Sequence, residues 1–207
     1  GYSQVSCYAF SESVGSYVAL TSPTSMLNGT WDDNTPASIT IPFSFNYNSI
    51  DHTSCYVNSN GFLTFGTTLS ALNLYTPISS NTTYNGAISA LGMDIFSNGN
   101  SGANISYKTI GNAPNRIFVI QWANVYRYNT NGTWNFQIRL NETSNKIDIV
   151  YGICSASNNN NSMTVQIGLR GSSNGDFNNR RLTAASSWLY NTTAGTANSH
   201  TVITRNT

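Results

Sequence analysis

Charged side chains are scarce in this sequence. Only 8% of its 207 residues are Asp, Glu, Lys or Arg, against about 25% in an average globular domain. The formal net charge is +1, which excludes the basic surface that nucleic acid or an anionic membrane would attract. The polar surface must therefore be built from Asn, Ser and Thr. Such a neutral surface fits a secreted, extracellular or cell-surface protein, and its weak colloidal repulsion favours self-association.

Long apolar runs and helical periodicity are also lacking. No stretch of about 18 apolar residues occurs, so the sequence predicts no membrane span. Ala, Leu, Glu and Lys never recur at helical spacing over three turns. Only residues 69–74 are compatible with one short helical turn.

Cysteine is rare and its spacing is uninformative. The three cysteines, Cys7, Cys55 and Cys154, form neither a CxxC motif nor a Cys/His cluster, which argues against structural zinc. Two interpretations stay open: one pair forms a disulfide in an oxidising compartment, or all three are buried free thiols within strands. A catalytic cysteine would have only His52 or His200 as its base.

What the sequence has in abundance is short segments of alternating polarity, rich in β-branched and aromatic residues. Asn58-Ser59-Asn60-Gly61 separates two such segments and predicts a hairpin, because Asn and Gly tolerate positive φ. The predicted strands are residues 5–10, 17–20, 39–45, 55–57, 62–65, 103–110, 116–122, 134–141, 146–153, 164–169 and 200–204.

Serial short strands with frequent turns predict an all-β fold, an antiparallel, jelly-roll-like β-sandwich with long polar loops. No linker rich in Pro or charge divides the chain, so we expect one domain over residues 1–207.

Motifs of catalysis are missing. The sequence has no Gly-x-Ser-x-Gly, HExxH or phosphate-binding loop. Asp32 and Asp33 are the only adjacent acids, and neighbours in an extended segment point to opposite sides. We therefore expect a non-catalytic protein with no catalytic residues.

Calcium is the one cofactor that the sequence makes credible, since it is held by oxygen ligands. The candidates form two groups, Asp32, Asp33 and Asn34 in one and Asp94, Asn98 and Asn100 in the other. Each group alone has too few carboxylates for calcium. The alternative is that these side chains satisfy loop backbone.

A glycan-binding surface is predicted around residues 126–134. Tyr126 and Tyr128 project to one side of a strand, and Trp134 begins the returning strand. Aromatic rings beside Asn amides can hold a sugar. The alternative is a cross-strand aromatic cluster that stabilises the hairpin.

Seven Asn-X-Ser/Thr triplets would accept N-linked glycans if the host glycosylates them. They begin at Asn28, Asn81, Asn104, Asn131, Asn141, Asn160 and Asn191. In a chain so rich in Asn and Thr, such triplets also arise by chance.

An ordered set of segments carries a family resemblance. The segments are IPFSFNY at 41–47, YVNSNGFLTFG at 56–66, ISYKT at 105–109, APNRIFVIQW at 113–122, NFQI at 135–138 and IDIVYG at 147–152. Together they resemble the nidogen-like domain of extracellular matrix and adhesive proteins. The later GLRGSS at 168–173 and FNNR at 177–180 resemble modules of bacterial type IX-secreted surface proteins.

The resemblance has one departure, at ALGMDI in residues 90–95, where the family usually carries an aromatic residue and a Pro. Asp94 aligns with an acidic residue of the family. Within APNR, the planar guanidinium of Arg116 is expected to bind a loop carbonyl or carboxylate.

The resemblance and the missing catalytic motifs predict an adhesive or surface-displayed binding module whose partner is a glycan or protein at the cell surface. The alternative is a structural subunit of an extracellular filament or surface layer. Copies of the chain would then join through strand edges, which few charges protect, or through the N-terminal strand.

Overall fold

The computed structural model describes residues 4–100, 102–128, 132–154 and 165–179, and the backbone of residues 199–205. This part contains a three-residue 3-10 helix, Val5–Cys7, and fifteen strands. The strands are β1 Tyr8–Val14, β2 Thr24–Asn28, β3 Thr30–Asp32, β4 Ala37–Tyr47, β5 Ile50–Asn58, β6 Phe62–Phe65, β7 Gly86–Gly92, β8 Ile95–Asn98, β9 Asn104–Ile110, β10 Ile117–Arg127, β11 Trp134–Asn141, β12 Ile147–Cys154, β13 Gln166–Arg170, β14 Phe177–Asn179 and β15 Ser199–Arg205.

Two antiparallel sheets pack face to face. The larger sheet has the order β1-β15-β12-β11-β10-β8-β3, with β9 also paired to β10 and β2 paired to β9. The smaller sheet has the order β14-β13-β7-β6-β5-β4. The prediction of an all-β antiparallel sandwich is confirmed.

Side-chain alternation determines which face of each strand is buried. In β4, Ile39, Ile41, Phe43 and Phe45 point into the core, while the residues between them are exposed. The core joins both sheets and includes stacked Trp122 and Phe136 with ring centroids 5.0 Å apart. The predicted hairpin at residues 58–61 is confirmed, since Asn58 pairs with Phe62 across it.

Three local predictions were wrong. Residues 5–7 form the 3-10 helix, and the first strand begins at Tyr8. Residues 69–74 form no helix; the Leu74 N–H donates to the Ala71 carbonyl in a single turn. Residues 17–20 are not a strand.

Residues 15–21, here called the strap, cross the outer face of the larger sheet. The strap has no ladder bonds; instead the sheet holds it by side chains. The Leu20 N–H donates to Gln121 Oε1 at 2.9 Å, and Gln137 Nε2 donates to the Val18 carbonyl at 2.8 Å. Both glutamines are almost completely buried, so the strap satisfies amides that would otherwise be costly to bury.

A β-bulge divides β10 into two halves. The first half pairs with β9 up to Ala123, and the second pairs with β8 from Tyr126. Asn124, at φ +52°, lies between them. Its N–H donates to Asn135 Oδ1, and Asn135 Nδ2 donates to the Ile153 carbonyl. Asn135 therefore joins irregularities in β10 and β12.

The strand edges bear on the filament hypothesis. β1 pairs with β15 of the same chain along its whole length, from Tyr8–Arg205 to Val14–Ser199. In this arrangement the N-terminal strand is not donated to a neighbour. The edge strand β4 contains Pro42, which has no N–H to offer, and its ladder is irregular between Thr40 and Phe45.

Candidate functional site

Aromatic rings lie on the outer side of the ribbon formed by β3, β8 and the second half of β10. Residues directly opposite in a ladder share a face, and Tyr126 pairs with Phe96. The Phe96 ring centroid lies 5.7 Å from those of Tyr126 and Tyr128, at interplanar angles of 44° and 74°. Tyr128 is 46% exposed, so this cluster meets solvent.

Three carboxylates lie on the same side of this ribbon. Asp32 pairs with Phe96 across β3 and β8, and the Asp94 carbonyl accepts the Tyr128 N–H at 2.9 Å. Carboxylate oxygens of Asp32, Asp33 and Asp94 all lie within 4.8 Å of one another. The structure thus joins carboxylates that the sequence placed in two separate groups.

The expectation that Asp32 and Asp33 point apart was wrong. It assumed an extended backbone at both residues, but β3 ends at Asp32 and Asp33 has φ +39°. This left-handed conformation, which Asp adopts more easily than most residues, turns the second carboxylate back towards the first.

The turn at residues 58–61 holds this group of carboxylates in place. The fully buried Asn60 donates from Nδ2 to Asp33 Oδ1 at 3.0 Å and to the Leu72 carbonyl at 3.2 Å. Its Oδ1 accepts the Ile95 N–H at 2.8 Å. One amide therefore connects the loop after β3, the loop before β7 and the start of β8.

Gly61 allows Asn60 to reach those positions. Its φ is +86°, and a Cβ there would lie 2.2 Å from the Leu91 carbonyl oxygen. Only glycine permits this approach of the turn to β7.

Crowding of like charges changes the titration of the site. The pKa of Asp94 is raised to about 6, first by burial and then by Asp33 and Asp32, while Arg127 opposes the change. Burial and Asp33 also raise the pKa of Asp32. Burial and the same three carboxylates also raise the pKa of Tyr75, a phenol that is 37% exposed.

We call this surface the aromatic–acidic face. It consists of Asp32, Asp33, Asp94, Tyr75, Phe96, Tyr126 and Tyr128. Its rings can pack against an apolar surface, and its carboxylates can accept hydrogen bonds from hydroxyl or amine donors.

The fit of this face to calcium is partial. Calcium takes six to eight oxygen ligands, and the three aspartates provide only part of that set. Asn98 Oδ1 accepts the Asn100 N–H at 3.0 Å, as in the alternative in which these amides satisfy loop backbone. The calcium role of Asp32, Asp33, Asn34, Asp94, Asn98 and Asn100 stays a prediction.

Trp134 does not belong to the predicted glycan surface. It is fully buried, because it pairs with Val125 on the core side of the sheet. Phe96 takes its place beside Tyr126 and Tyr128. Part of the predicted loop, residues 129–131, lies outside the described residues.

Sequence reasoning missed Phe96, Tyr75 and Asn60 as members or supports of the site. Asn60 lay within the turn motif, but only its turn propensity was considered. Phe96 follows Asp94 at spacing two, which would have placed both on one face if β8 had been predicted as a strand.

The cysteines are free thiols in the structure. Cys55 is buried in β5, Cys154 is partly buried at the end of β12, and Cys7 is exposed in the 3-10 helix. Cys55 alone has the surroundings that the second interpretation gave to all three cysteines. Burial raises the pKa of the Cys55 thiol to about 12 and that of Cys154 to about 11. Neither would be a reactive thiolate at neutral pH.

The Asn-X-Ser/Thr sites differ in their surroundings. Asn28 and Asn81 are exposed, whereas Asn104 and Asn141 are partly buried. Asn141 Nδ2 donates to Asp148 Oδ2 at 2.7 Å and to the Lys146 carbonyl at 2.9 Å, and a glycan would disrupt these bonds. Asn131, Asn160 and Asn191 lie outside the described residues.

The expectation for Arg116 is confirmed. Its Nε and Nη2 donate to the two carboxylate oxygens of Glu142 at 2.8 and 2.6 Å. This bidentate ion pair joins the residue before β10 to the residue after β11 and so has a structural role.

No helix among the described residues is long and apolar enough to cross a membrane.

Comparison with known proteins gives one family. Neither the curated proteins nor the solved structures include a match. The family model described as NIDO related matches residues 7–206, nearly the whole chain, and the chain therefore belongs to the NIDO-related family.

Proposed function

We propose that this chain is a non-catalytic, extracellular adhesive module that binds glycans at a cell surface through the aromatic–acidic face. The observation that carries the proposal is the exposure of the Phe96–Tyr126–Tyr128 cluster directly beside three carboxylates. Ring faces pack against the C–H faces of sugars, and carboxylates accept hydrogen bonds from sugar hydroxyls. Membership of a NIDO-related family supports an extracellular setting; export by the bacterial type IX system stays a prediction.

Neutral polysaccharides suit this face better than acidic ones. Asp32, Asp33 and Asp94 would repel a uronic acid or a sulfated sugar, and among the described residues Arg127 is the cation that offsets the charge of Asp94. A neutral sugar meets no such repulsion.

The test is a glycan array probed with the full chain, followed by titration of the best neutral glycan. Tyr128→Ala is expected to weaken binding about tenfold, equal to about 1.4 kcal/mol, because the most exposed ring of the Phe96–Tyr126–Tyr128 cluster is lost. Tyr56→Ala, at a partly buried tyrosine of the smaller sheet, is the matched control and should bind as the wild type does. Equal binding by both variants, or no glycan bound, would contradict the proposal.

Hydrolysis of the glycan must be measured in the same experiment. A carboxyl with a pKa of about 6 beside other carboxylates is also a combination that glycosidases use. Here, however, the acids are grouped within 4.8 Å on an open sheet face, closer than the roughly 5–9.5 Å of paired glycosidase acids. Turnover that is lost in Asp94→Asn would replace the adhesive proposal by an enzymatic one.

The filament alternative gains no specific support, since β1 and β15 pair within the chain. Electron microscopy of material shed by native cells would still separate the two functions. A repeating assembly containing the chain would favour the filament.

A further inference from the structure

A groove of about 310 Å³ opens beside the strap on the outer face of the larger sheet. Its walls are apolar: Val18 and Leu20 come from the strap, Ile110 from β9 and Val119 from β10. Two cations, Lys108 and Arg139, also line it. We call this the strap groove; it lies away from the aromatic–acidic face and shares no residue with it.

Ladder register fixes the positions of the two cations. Val119 pairs with Lys108 on β9 and with Arg139 on β11. The three side chains therefore form one row on the same face of the sheet, with the cations on either side of Val119. The outer strands of such a row are about 10 Å apart, so the two long side chains can converge on one small anion.

The charges of this row are only partly balanced by carboxylates, since Asp148 acts on Arg139 but not on Lys108. The Lys108 ammonium donates to the Thr21 carbonyl, and within the described residues no carboxylate lies within ion-pair distance of it. The Arg139 guanidinium donates twice to Gln137 Oε1, at 2.7 and 2.9 Å. Asp148 is the one carboxylate across the ladder from Arg139, and it is shared with Lys146 at 3.4 Å.

A buried hydroxyl beside Arg139 also lacks a partner. The Tyr17 Oη is inaccessible to solvent and has no hydrogen bond among the described residues. It lies close enough to Arg139 for that charge to lower its pKa against the effect of burial, which raises it to about 12. A buried hydroxyl without a partner typically costs about 1–3 kcal/mol, but Tyr17 does not line the groove, so this cost lies beside the groove and not within it.

From these observations we propose that the strap groove binds a small aliphatic monocarboxylate. The carboxylate lies between Lys108 and Arg139, and the alkyl chain lies along Val119, Ile110 and Leu20. Inorganic anions cannot use the apolar walls, and neutral alkanes cannot use the cations. The volume is at the lower end of the range for small-molecule sites, which fits a chain of a few carbons.

Hexanoate is the probe for this proposal. It is titrated into the full chain and followed by NMR chemical shifts, with acetate and hexan-1-ol as partial ligands. Hexanoate is expected to bind at least tenfold more tightly than either, because only it has both the charge and the alkyl chain. Equal affinity for hexan-1-ol and hexanoate would overturn the proposal, as would no saturable binding.

Lys108→Gln tests the placement of the carboxylate. It is expected to weaken hexanoate binding about tenfold and to leave hexan-1-ol unaffected. Arg127→Gln is the matched control. It also removes one positive charge, but at the end of β10 opposite to the groove, and the affinity for hexanoate should be unchanged. Equal losses in both variants would show a net-charge effect and overturn the proposal. If Lys108→Gln does not fold, hexylamine replaces the variant: binding as tight as that of hexanoate would overturn the proposal equally.

Discussion

The two halves of β10 differ in what covers their outer surfaces. Beside the first half, the strap covers the sheet, and the buried Gln121 and Gln137 are hydrogen-bonded to its backbone. Beside the second half, the rings of Phe96, Tyr126 and Tyr128 meet solvent and three carboxylates crowd together.

The covered half contributes to the stability of the sandwich, whereas the open half has groups suited to binding a ligand. A covered polar amide with partners strengthens the sandwich, whereas like charges held within 4.8 Å of one another weaken it. Within the described ranges, this grouping of three carboxylates occurs beside the exposed rings, which is where a ligand would benefit from it. The comparison can be tested by substitutions in three places: the turn that supports the open half, the covered half, and the carboxylates. They follow in decreasing order of the expected change in the free energy of unfolding.

A substitution in the turn that supports the open half should lower the free energy of unfolding the most. Gly61→Ala places a methyl group 2.2 Å from the Leu91 carbonyl and keeps φ at +86°. We expect a loss of about 3 kcal/mol or more in the free energy of unfolding, from left-handed strain and overpacking together. Urea denaturation measures it.

Gly29→Ala is the matched control for Gly61. Gly29 has a similar φ of +72°, but nothing lies within 4 Å of a Cβ there. Only the backbone strain remains, so about 1–2 kcal/mol should be lost. Equal losses at the two glycines would show that the close approach to Leu91 has no energetic importance.

A substitution in the covered half should have the second largest effect on the free energy of unfolding. Gln121→Ala removes the acceptor of the Leu20 N–H and of Gln137 Nε2, and we expect a loss of about 2 kcal/mol. Amide exchange at Leu20 should quicken in the same variant. Gln4→Ala, the same change at an exposed position, should stay within about 0.5 kcal/mol. A strap that exchanges no faster in Gln121→Ala would mean that other contacts hold it.

The carboxylates should give the smallest effect, and one of opposite sign. The folded pKa of Asp94, about 6, lies above the unfolded value of 3.8. Its protonated form is therefore favoured by folding, and this contribution is present below pH 4 and lost as the pH rises through 6. For a fully buried group the difference would be ~3 kcal/mol; solvent screening at this partly exposed carboxyl leaves about 1 kcal/mol.

Asp94→Asn should consequently be more stable than the wild type by about 1 kcal/mol at pH 7 and no more stable at pH 4. Thermal unfolding at the two pH values measures this, with EDTA present because a divalent cation would mask the repulsion. Asp51→Asn, which removes the same charge at an exposed acid of the smaller sheet, is the control for the loss of one negative charge. A destabilised Asp94→Asn at pH 7 would mean that the charge is favourable where it lies.

Sequence patterns could predict the strands whose two faces differ. β4 and β11 alternate clearly and were placed within a few residues, and the Asn-Gly turn gave the hairpin. β7 was missed because all of its residues are buried, so GAISALG shows no alternation and has little β-branched or aromatic content. The strap was mistaken for a strand because its apolar residues resemble one. Its hydrogen-bond partners, however, are side chains about 100 residues away in sequence.

The candidate site was predictable only in pieces. Tyr126 and Tyr128 follow from alternation alone, but the burial of Trp134 depends on the bulge at Asn124, which shifts the register between β10 and β11. The meeting of Asp33 with Asp94 depends on one positive φ and on Asn60, and neither leaves a periodic signal in the sequence.

Asn135 marks a boundary within the larger sheet. By bonding to Asn124 and to Ile153, it aligns the irregularities of neighbouring strands along one line. The pairing of β8 with β10 lies on one side of that line and the pairing of β9 with β10 on the other, so the two pairings have separate registers.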